Sequence, residues 1–337
     1  MTISREICLA SRPVGMPAAE NFALASRELA APGPGEVLVQ NKYMSVDPYM
    51  RGRMYDRPSY VPPFQIGEAL QGGVVGVVVE SHAEGLKKGD IVSSMFGWRE
   101  AFVAPAAALE KLDVPGGIPM ESFLGVLGMP GLTAWAGLTQ IGKPKPGDVV
   151  FVSGAAGAVG SIVAQVAKLK GCTVVASAGS DEKCDWLKSL GIDHVINYRT
   201  CGNLLAAVQA AAQASGRGGI DIYFDNVGGE HLEVAIETAR PFARLIECGM
   251  ISAYNDTEPT PGPRNIIQVV GKSLTMRGFI VMEFAGLRGD FLAEMGPWIR
   301  AGKLKWQETV LDGIEKAPEA FIGLFEGKNT GKMLVKL

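Results

Sequence analysis

From Val149 to Gly160 the chain reads Val-Val-Phe-Val-Ser-Gly-Ala-Ala-Gly-Ala-Val-Gly, and few folds accommodate that run. Four consecutive apolar residues make a short buried strand. A turn of small residues follows, and from Ser161 to Lys170 the apolar positions take helical spacing. Strand, glycine turn and helix in this order open a βαβ unit. Gly157 and Gly160 let backbone approach a pyrophosphate and let the helix lie close to the strand. The free N–H groups of the helix start supply the anion site. The pattern is AxxGxxG rather than GxGxxG, so taken alone these are also ordinary turn glycines. Val149 to Ala167 carries no charge and is nearly long enough to span a bilayer. Three glycines and the change of period argue against that.

The alternation continues downstream. Strand-like runs fall at Val149–Ser153, Thr173–Ser177, His194–Tyr198, Ile220–Asp225, Arg244–Cys248 and Leu274–Val281. Helix-like runs lie between the early ones, Ser161–Lys170 ending at Gly171 and Asp181–Leu190 ending at Gly191. Parallel neighbours need long crossovers, so six such strands make one doubly wound Rossmann sheet. Up to Gly125 the chain is instead β-rich, with strand-like Val37–Gln40 and Gly73–Glu80 and a turn into a strand at Gly89–Val92, which predicts a small barrel-like domain. From Pro297 onward, Leu304–Val310 and Met333–Leu337 are strand-like but too short to fold alone. The expected fold class is α/β: a Rossmann unit over 126–296 inserted into a β-rich unit of 1–125 and 297–337.

Composition narrows the function. A net charge of −3 over 337 residues argues against nucleic acid as a partner. Met1 to Met16 has charges and no continuous apolar run, so it does not read as a secretory signal. Cys8, Cys172, Cys184, Cys201 and Cys248 form no CxxC, which points to a reducing, cytoplasmic setting. The histidines are His82, His194 and His231, and no cysteine lies between Cys8 and Cys172. The first domain therefore has no Cys/His set for zinc, and no metal is expected. Oxidation of a simple alcohol loses its usual alkoxide stabiliser.

The end of the second strand distinguishes NAD from NADP. It reads Ala176-Ser177-Ala178-Gly179-Ser180, without the acid that binds a ribose 2′-hydroxyl. Lys183, in the first turn of the next helix, suits a 2′-phosphate; the alternative is a solvated helix lysine. Asp181 reads as a helix cap rather than a ribose contact.

Four segments occur in order: Met44-Ser45-Val46-Asp47-Pro48-Tyr49-Met50-Arg51, Val126-Leu127-Gly128-Met129-Pro130-Gly131-Leu132-Thr133-Ala134, the Gly157 turn, and Asp225-Asn226-Val227-Gly228-Gly229. From Pro32 to Leu337 the chain resembles the zinc-independent medium-chain dehydrogenase/reductases, in the branch of leukotriene/prostaglandin reductases, alkenal double-bond reductases and curcumin reductases. The resemblance implies a β-rich GroES-like domain, a homodimer, and NADPH-dependent reduction of the C=C bond of α,β-unsaturated ketones or aldehydes. It places Gly157, Ala158, Val159 and Gly160 at the pyrophosphate, Lys183 at the 2′-phosphate and Tyr198 near the adenosine. Asn226 would contact the cofactor from the end of the fourth strand, and Cys248, Gly249, Met250, Ile251, Ser252 and Tyr254 would line the nicotinamide side, with Phe279, Ile280 and Val281 beyond and Asn329 reaching back. Cys248 reads as a contact, not a nucleophile.

Hydride transfer to the β-carbon builds charge on the carbonyl oxygen, and a neutral phenol can donate to it. Tyr254 is the candidate; a water or the cofactor's ribose hydroxyl could deliver the proton instead. Tyr49 is either a buried aromatic or a wall of the substrate pocket. The loops Met54–Phe64 and Ala253–Pro263 could cover the substrate. A quinone reductase and a non-catalytic NADPH-binding protein remain the alternatives.

Overall fold

The computed structural model describes residues 2–114 and 116–337, so positions 1 and 115 of the expected segment 1–125 lie outside the described residues. The β-rich part begins with β1 (Thr2–Leu9) paired antiparallel to β2 (Phe22–Leu29). It continues through β3 (Glu36–Ser45), the short helix α1 (Met50–Arg53), β4 (Val74–Ser81), β5 (Ile91–Ser94), β6 (Ala101–Pro105) and β7 (Glu110–Lys111). Helix α2 (Met129–Ala136) leads into the alternating part. There β8 (Val149–Val152), β9 (Thr173–Ala178), β10 (His194–Asn197), β11 (Ile220–Asp225), β12 (Ala239–Glu247) and β13 (Thr275–Gly278) are the strands. Helices α3 (Gly160–Leu169), α4 (Asp181–Ser189), α5 (Leu204–Ala214), α6 (Glu230–Thr238), α7 (Gln268–Gly271) and α8 (Arg288–Arg300) connect and follow them. The chain closes with β14 (Glu308–Asp312), α9 (Ala317–Phe325) and β15 (Lys332–Lys336).

The six strands of the alternating part form one sheet in the order β10-β9-β8-β11-β12-β13, and every ladder in it is parallel. Strand order reverses between β8 and β11, which places the ligand crevice at the carboxyl ends of those two strands. Strands in such a sheet are covered on both faces, and the residues alternate accordingly. Val150, Val152, Phe224 and Ile246 face a core shared with α2, α3 and α8. Phe151, Val175, Tyr223 and Leu245 face the opposite core, under α5 and α6.

The second sheet runs β14-β15-β3-β4-β5-β7, with β6 paired to the first half of β3, Glu36 to Gln40, while β15 pairs to its end. Its ladders stop short of a ring. Isolated bridges Glu6↔Arg99 and Cys8↔Ala69 bring β1 across the gap, and the enclosed core holds Val37, Met44, Val74, Trp98 and Phe321.

Sequence and structure differ at several element boundaries. The expected join at 296/297 falls inside α8, whose Met295 and Ile299 are buried with Val150 and Leu304 in one cluster. The strand expected at Leu304–Val310 forms later, at Glu308–Asp312, because Leu304 is an anchor of the Rossmann core. The run Leu274–Val281 pairs only over Thr275–Gly278, and a 3-10 helix starts at Val281. Among the described residues no helix is long and apolar enough to cross a membrane.

Candidate functional site: a cleft at the carboxyl ends of the parallel strands

The turn from β8 into α3 is supported from beneath. Ala155 N–H donates to Ser177 O (2.9 Å) and Gly157 N–H to Gly154 O (3.0 Å). A Cβ on Gly160 would lie 2.5 Å from Gly154 O and 2.8 Å from Ala155 Cα, so only glycine lets the helix start this close. The first-turn N–H groups at Ala158, Val159 and Gly160 have no acceptor within the helix and line a cradle for an anion. This cradle, which any Cβ at Gly160 would push apart, fits a dinucleotide pyrophosphate.

A strap from the end of the chain closes over it. Gly331 N–H donates to Ala156 O (2.8 Å), and Asn329 Nδ2 donates back to Gly331 O (2.8 Å). Lys183 Nζ donates to Gly327 O (2.7 Å) on the same strap. Ser180, rather than Asp181, caps α4 by accepting from Lys183 N–H (3.3 Å). Asp181 instead accepts from Asn197 Nδ2 (2.7 Å). Burial first, then the neighbouring Arg199, pulls the Lys183 ammonium below its ordinary pKa, and an anion placed beside these two cations would offset both effects. Tyr198 stands edge-on to His231, with centroids 5.0 Å apart. Its hydroxyl lies against Gly179, where a Cβ would come within 2.7 Å of it.

At the other end of the cleft β11 and β12 finish side by side, with Asp225 opposite Glu247. Asp225 O accepts from Cys248 N–H (3.1 Å) and Gly249 N–H (3.0 Å). Asn226 Nδ2 donates to Ser153 O (2.8 Å) and its N–H to Ser153 Oγ (2.9 Å). Ile251 N–H donates to Asn226 O (3.3 Å) and Ser252 N–H to Val227 O (3.1 Å). These bonds tie the turn carrying Cys248, Gly249, Met250, Ile251 and Ser252 to the strand that carries Asn226. A groove of about 350 Å³ opens there, lined by Glu247, Cys248, Gly249, Met250, Gly278 and Ile280 among others.

Phe279 also lines this groove, 7% exposed, with its ring edge-on to Phe224 (6.5 Å) and Phe284 (5.9 Å). It thus joins the groove to the core behind it. Val281 packs on the same cluster, half-buried.

The Cys248 thiol is pushed up to about 12 by burial, then by Asp225 and Glu247, and stays protonated, as a contact residue rather than a nucleophile would. Burial likewise pushes the Tyr254 phenol up to about 12, with the Met250 backbone pulling the other way. A Cβ on Gly249 would sit 3.1 Å from the Tyr254 hydroxyl, so the glycine leaves room for the phenol to lie over the strand end. Tyr49 is half-buried against the β-rich core, and burial, then Asp47, raises its pKa above the ordinary value. Tyr60, in the Met54–Phe64 loop, is near enough for its charge to affect both Tyr254 and Cys248. Tyr55, in the same loop, donates to Tyr254 O (3.2 Å). The sequence marks this loop as a cover by its Pro and Tyr content but singles out none of these side chains, because nothing in the local pattern says which ring turns inward.

A glycine cradle, a strand order that reverses above it and a protonated phenol at the strand ends define a dinucleotide-dependent oxidoreductase. Two family descriptions match, "N-terminal domain of oxidoreductase" over residues 5–112 and "Zinc-binding dehydrogenase" over residues 158–298. Among the described residues no group of three or more His, Cys, Asp or Glu side chains could hold a metal ion. A putative NADP-dependent oxidoreductase of Bacillus subtilis, YfmJ, is 46% identical over 341 residues, covering 100% of this chain and 99% of its own. The NADPH-dependent curcumin reductase of Escherichia coli is 42% identical over 340 residues, covering 99% and 97%. The crystal structure of CurA from Vibrio vulnificus in complex with NADPH superposes with a TM-score of 0.90 at 43% identity, covering 98% of each chain. The chain belongs to the medium-chain dehydrogenase/reductase family.

Proposed function

We propose that the protein is an NADPH-dependent reductase of the C=C bond of α,β-unsaturated ketones or aldehydes, the class to which its curcumin and 2-alkenal reductase relatives point. The observation that carries the reading is Tyr254, a half-buried phenol held protonated beside Gly249 at the strand ends. NADPH, when bound, supplies the hydride. Gly157, Ala158, Val159 and Gly160 hold the pyrophosphate, Lys183 the 2′-phosphate, and Tyr198 packs near the adenosine. The Cys248–Ser252 turn, with Asn226, Phe279, Ile280 and Val281, orients the nicotinamide, and Asn329 steadies the strap. Tyr49 lines the substrate side.

As the β-carbon gains the hydride, negative charge develops on the substrate's carbonyl oxygen, and Tyr254 donates a hydrogen bond to it. A proton then reaches the α-carbon, from Tyr254 or from water, and the double bond is saturated. With its phenol pushed up to about 12, Tyr254 keeps the proton it donates throughout the neutral range. Removing that donor in Tyr254→Phe is expected to lower kcat by about 10²-fold or more, with NADPH affinity nearly unchanged. The deciding assay is NADPH and NADH consumption with enones, enals and quinones side by side. Quinones reduced in preference to enones favour the quinone reductase reading. Thermal stabilisation by NADPH with no turnover favours a binding protein, and unaltered turnover in Tyr254→Phe removes the tyrosine from the reaction.

The same reading divides the chain into a GroES-like unit of 1–125 with the terminal strands, and a Rossmann unit from 126 that continues past 296 through α8. Five unpaired cysteines accord with a cytoplasmic enzyme. A homodimer is supported by β13, an edge strand beside the exposed Ile267, Val270 and Met282. Sedimentation is expected to give twice the chain mass of 35.6 kDa, and a purely monomeric species overturns the dimer.

A further inference from the structure

Arg51 lies in α1, with its side chain fully buried at the junction between the β-rich unit and the Tyr254 turn. Its Nε donates to Asn255 Oδ1 (2.9 Å), and its Nη2 donates to Gly15 O (2.8 Å) and Pro13 O (3.3 Å). The guanidinium lies 4.1 Å from the centroid of the Tyr55 ring, and Arg57 lies 4.6 Å from the same ring. Nη1 is buried and has no hydrogen-bond partner among the described residues. The ionisable neighbours that act on Arg51 are Tyr55 and Arg57, neither of them a carboxylate.

A buried cation without a counter-charge is a poor way to stabilise a fold, since an apolar residue of similar volume does that at lower desolvation cost. What the guanidinium offers is a rigid planar fork that fixes several partners at once. Here the fork joins three chain segments: the loop at Pro13–Gly15, α1, and the turn at Asn255. Two of its neighbours lead to Tyr254. Asn255 is the next residue along the chain, and Tyr55, stacked under the guanidinium, donates to the Tyr254 carbonyl (3.2 Å). A Cβ on Gly15 would lie 3.6 Å from Thr257 Cγ2, so the same loop also buttresses the far side of the turn.

We propose that Arg51 is a positioning residue for the reaction: its fork latches the 254–257 turn to the β-rich unit and thereby sets where the Tyr254 hydroxyl stands over the substrate. Arg51 acts through Asn255 and Tyr55 and touches no reacting atom. The proposal rests on the reading of Tyr254 as the donor to the substrate oxygen.

The test uses Asn255→Ala, Tyr55→Phe, Arg51→Lys and the Arg51→Lys/Asn255→Ala double variant of the full chain. Steady-state kinetics with an enone and NADPH are measured together with amide hydrogen exchange of residues 250–257 in the cofactor-free protein. Asn255→Ala and Tyr55→Phe are each expected to lower kcat on the order of tenfold or more, as a displaced catalytic group does. The KM for NADPH stays nearly constant, and exchange in 250–257 quickens. Arg51→Lys keeps the charge but loses the fork and behaves like Asn255→Ala, and the double variant loses little beyond either single one.

Unchanged kcat and unchanged exchange in Asn255→Ala and Tyr55→Phe overturn the latch. So do losses that multiply fully in the double variant, since independent effects add in free energy. A fall in melting temperature with kcat and exchange unaltered assigns Arg51 to the fold alone and also overturns it. If the Arg51 variants do not fold, the Asn255→Ala/Tyr55→Phe pair, with their double variant, takes over the same comparison. If the wild type reduces no enone, the functional reading fails, while the exchange measurement still decides the latch.

Discussion

Gly331→Ala is expected to destabilise the protein by about 3–5 kcal/mol, combining a left-handed backbone with overpacking. Gly331 has φ +67°, and a Cβ there would lie 1.8 Å from Gln307 O and 2.6 Å from Gln307 C. Those are backbone atoms and cannot swing aside. Movement would have to come from the strap, but Gly331 N–H holds Ala156 O (2.8 Å) and the residue bridges to Gly157. The strain thus passes directly to the turn that cradles the pyrophosphate. NADPH affinity should fall along with the melting temperature, although residue 331 needs no contact with the cofactor. Gly302→Ala is the control: φ there is +64° but nothing lies within 4 Å of the added Cβ, so only the backbone preference of about 1–2 kcal/mol remains. Chemical unfolding and NADPH titration by fluorescence decide it. A Gly331→Ala variant as stable as Gly302→Ala, with unchanged affinity, would falsify the account.

The contrast between those two glycines shows what a sequence can reveal and what it cannot. Both precede lysines near the end of a helix or strand and look alike in print; only the neighbour across the seam separates them. The Rossmann unit was legible because its signals are local. The run Val149–Val152 is apolar without a break, and the change to helical spacing at Gly160 falls within a dozen residues. Strand ends follow from the same pattern, so Asn226 and Cys248 could be placed at the mouth of the crevice. The first two strands were missed because β1 buries Ser4 (1% exposed) and Glu6 (3%) among its apolar residues, which destroys the alternation that marks a half-buried strand. Their partners are distant: Ser4 Oγ donates to Ala101 O (2.9 Å) and Glu6 accepts from Arg27 Nε (3.0 Å).

The same limit applies to buried charges. Nothing in the local sequence marks Lys332, at the start of the terminal strand, as buried. Yet its Nζ donates to Val46 O (2.8 Å) and Met333 O (2.9 Å) and lies 3.2 Å from Asp47 Oδ1, buried where β15 meets β3. Arg51 is likewise unremarkable in the run Pro48-Tyr49-Met50-Arg51. Its role depends on the loop at Gly15 and the turn at Asn255, 204 positions away along the chain. Long-range polar contacts leave no periodic trace.

Asp225→Ala is expected to cost about 4 kcal/mol or more, because it strips the acceptor from several buried donors at once. Asp225 Oδ1 receives Tyr223 Oη (2.7 Å), Ser153 Oγ (3.0 Å), Val227 N–H (2.8 Å) and Gly228 N–H (2.8 Å). The last two build the turn after β11, and the Ser153 bond joins it to β8. Asp225 Oδ2 and both Glu247 carboxyl oxygens are buried with no hydrogen-bond partner among the described residues, and Asp225 stands opposite Glu247 in the β11–β12 ladder. Burial, then Asp225, pushes the Glu247 carboxyl up to about 8, so at neutral pH it is mostly protonated. Asp225→Asn should be far milder than alanine, since its carbonyl can accept the four donors. The proton on Glu247 also sets a pH dependence. The folded state holds it where the unfolded chain releases it, so its stabilising contribution is complete below about 4.5 and is lost as pH rises to about 8. Glu247→Gln has no proton to lose, and its urea midpoint should decline less than that of the wild type between pH 5 and pH 9. Parallel profiles for the two proteins would mean that Glu247 holds no extra proton in the folded state, and an asparagine variant as unstable as the alanine one would mean that accepting the four donors is not what Asp225 contributes.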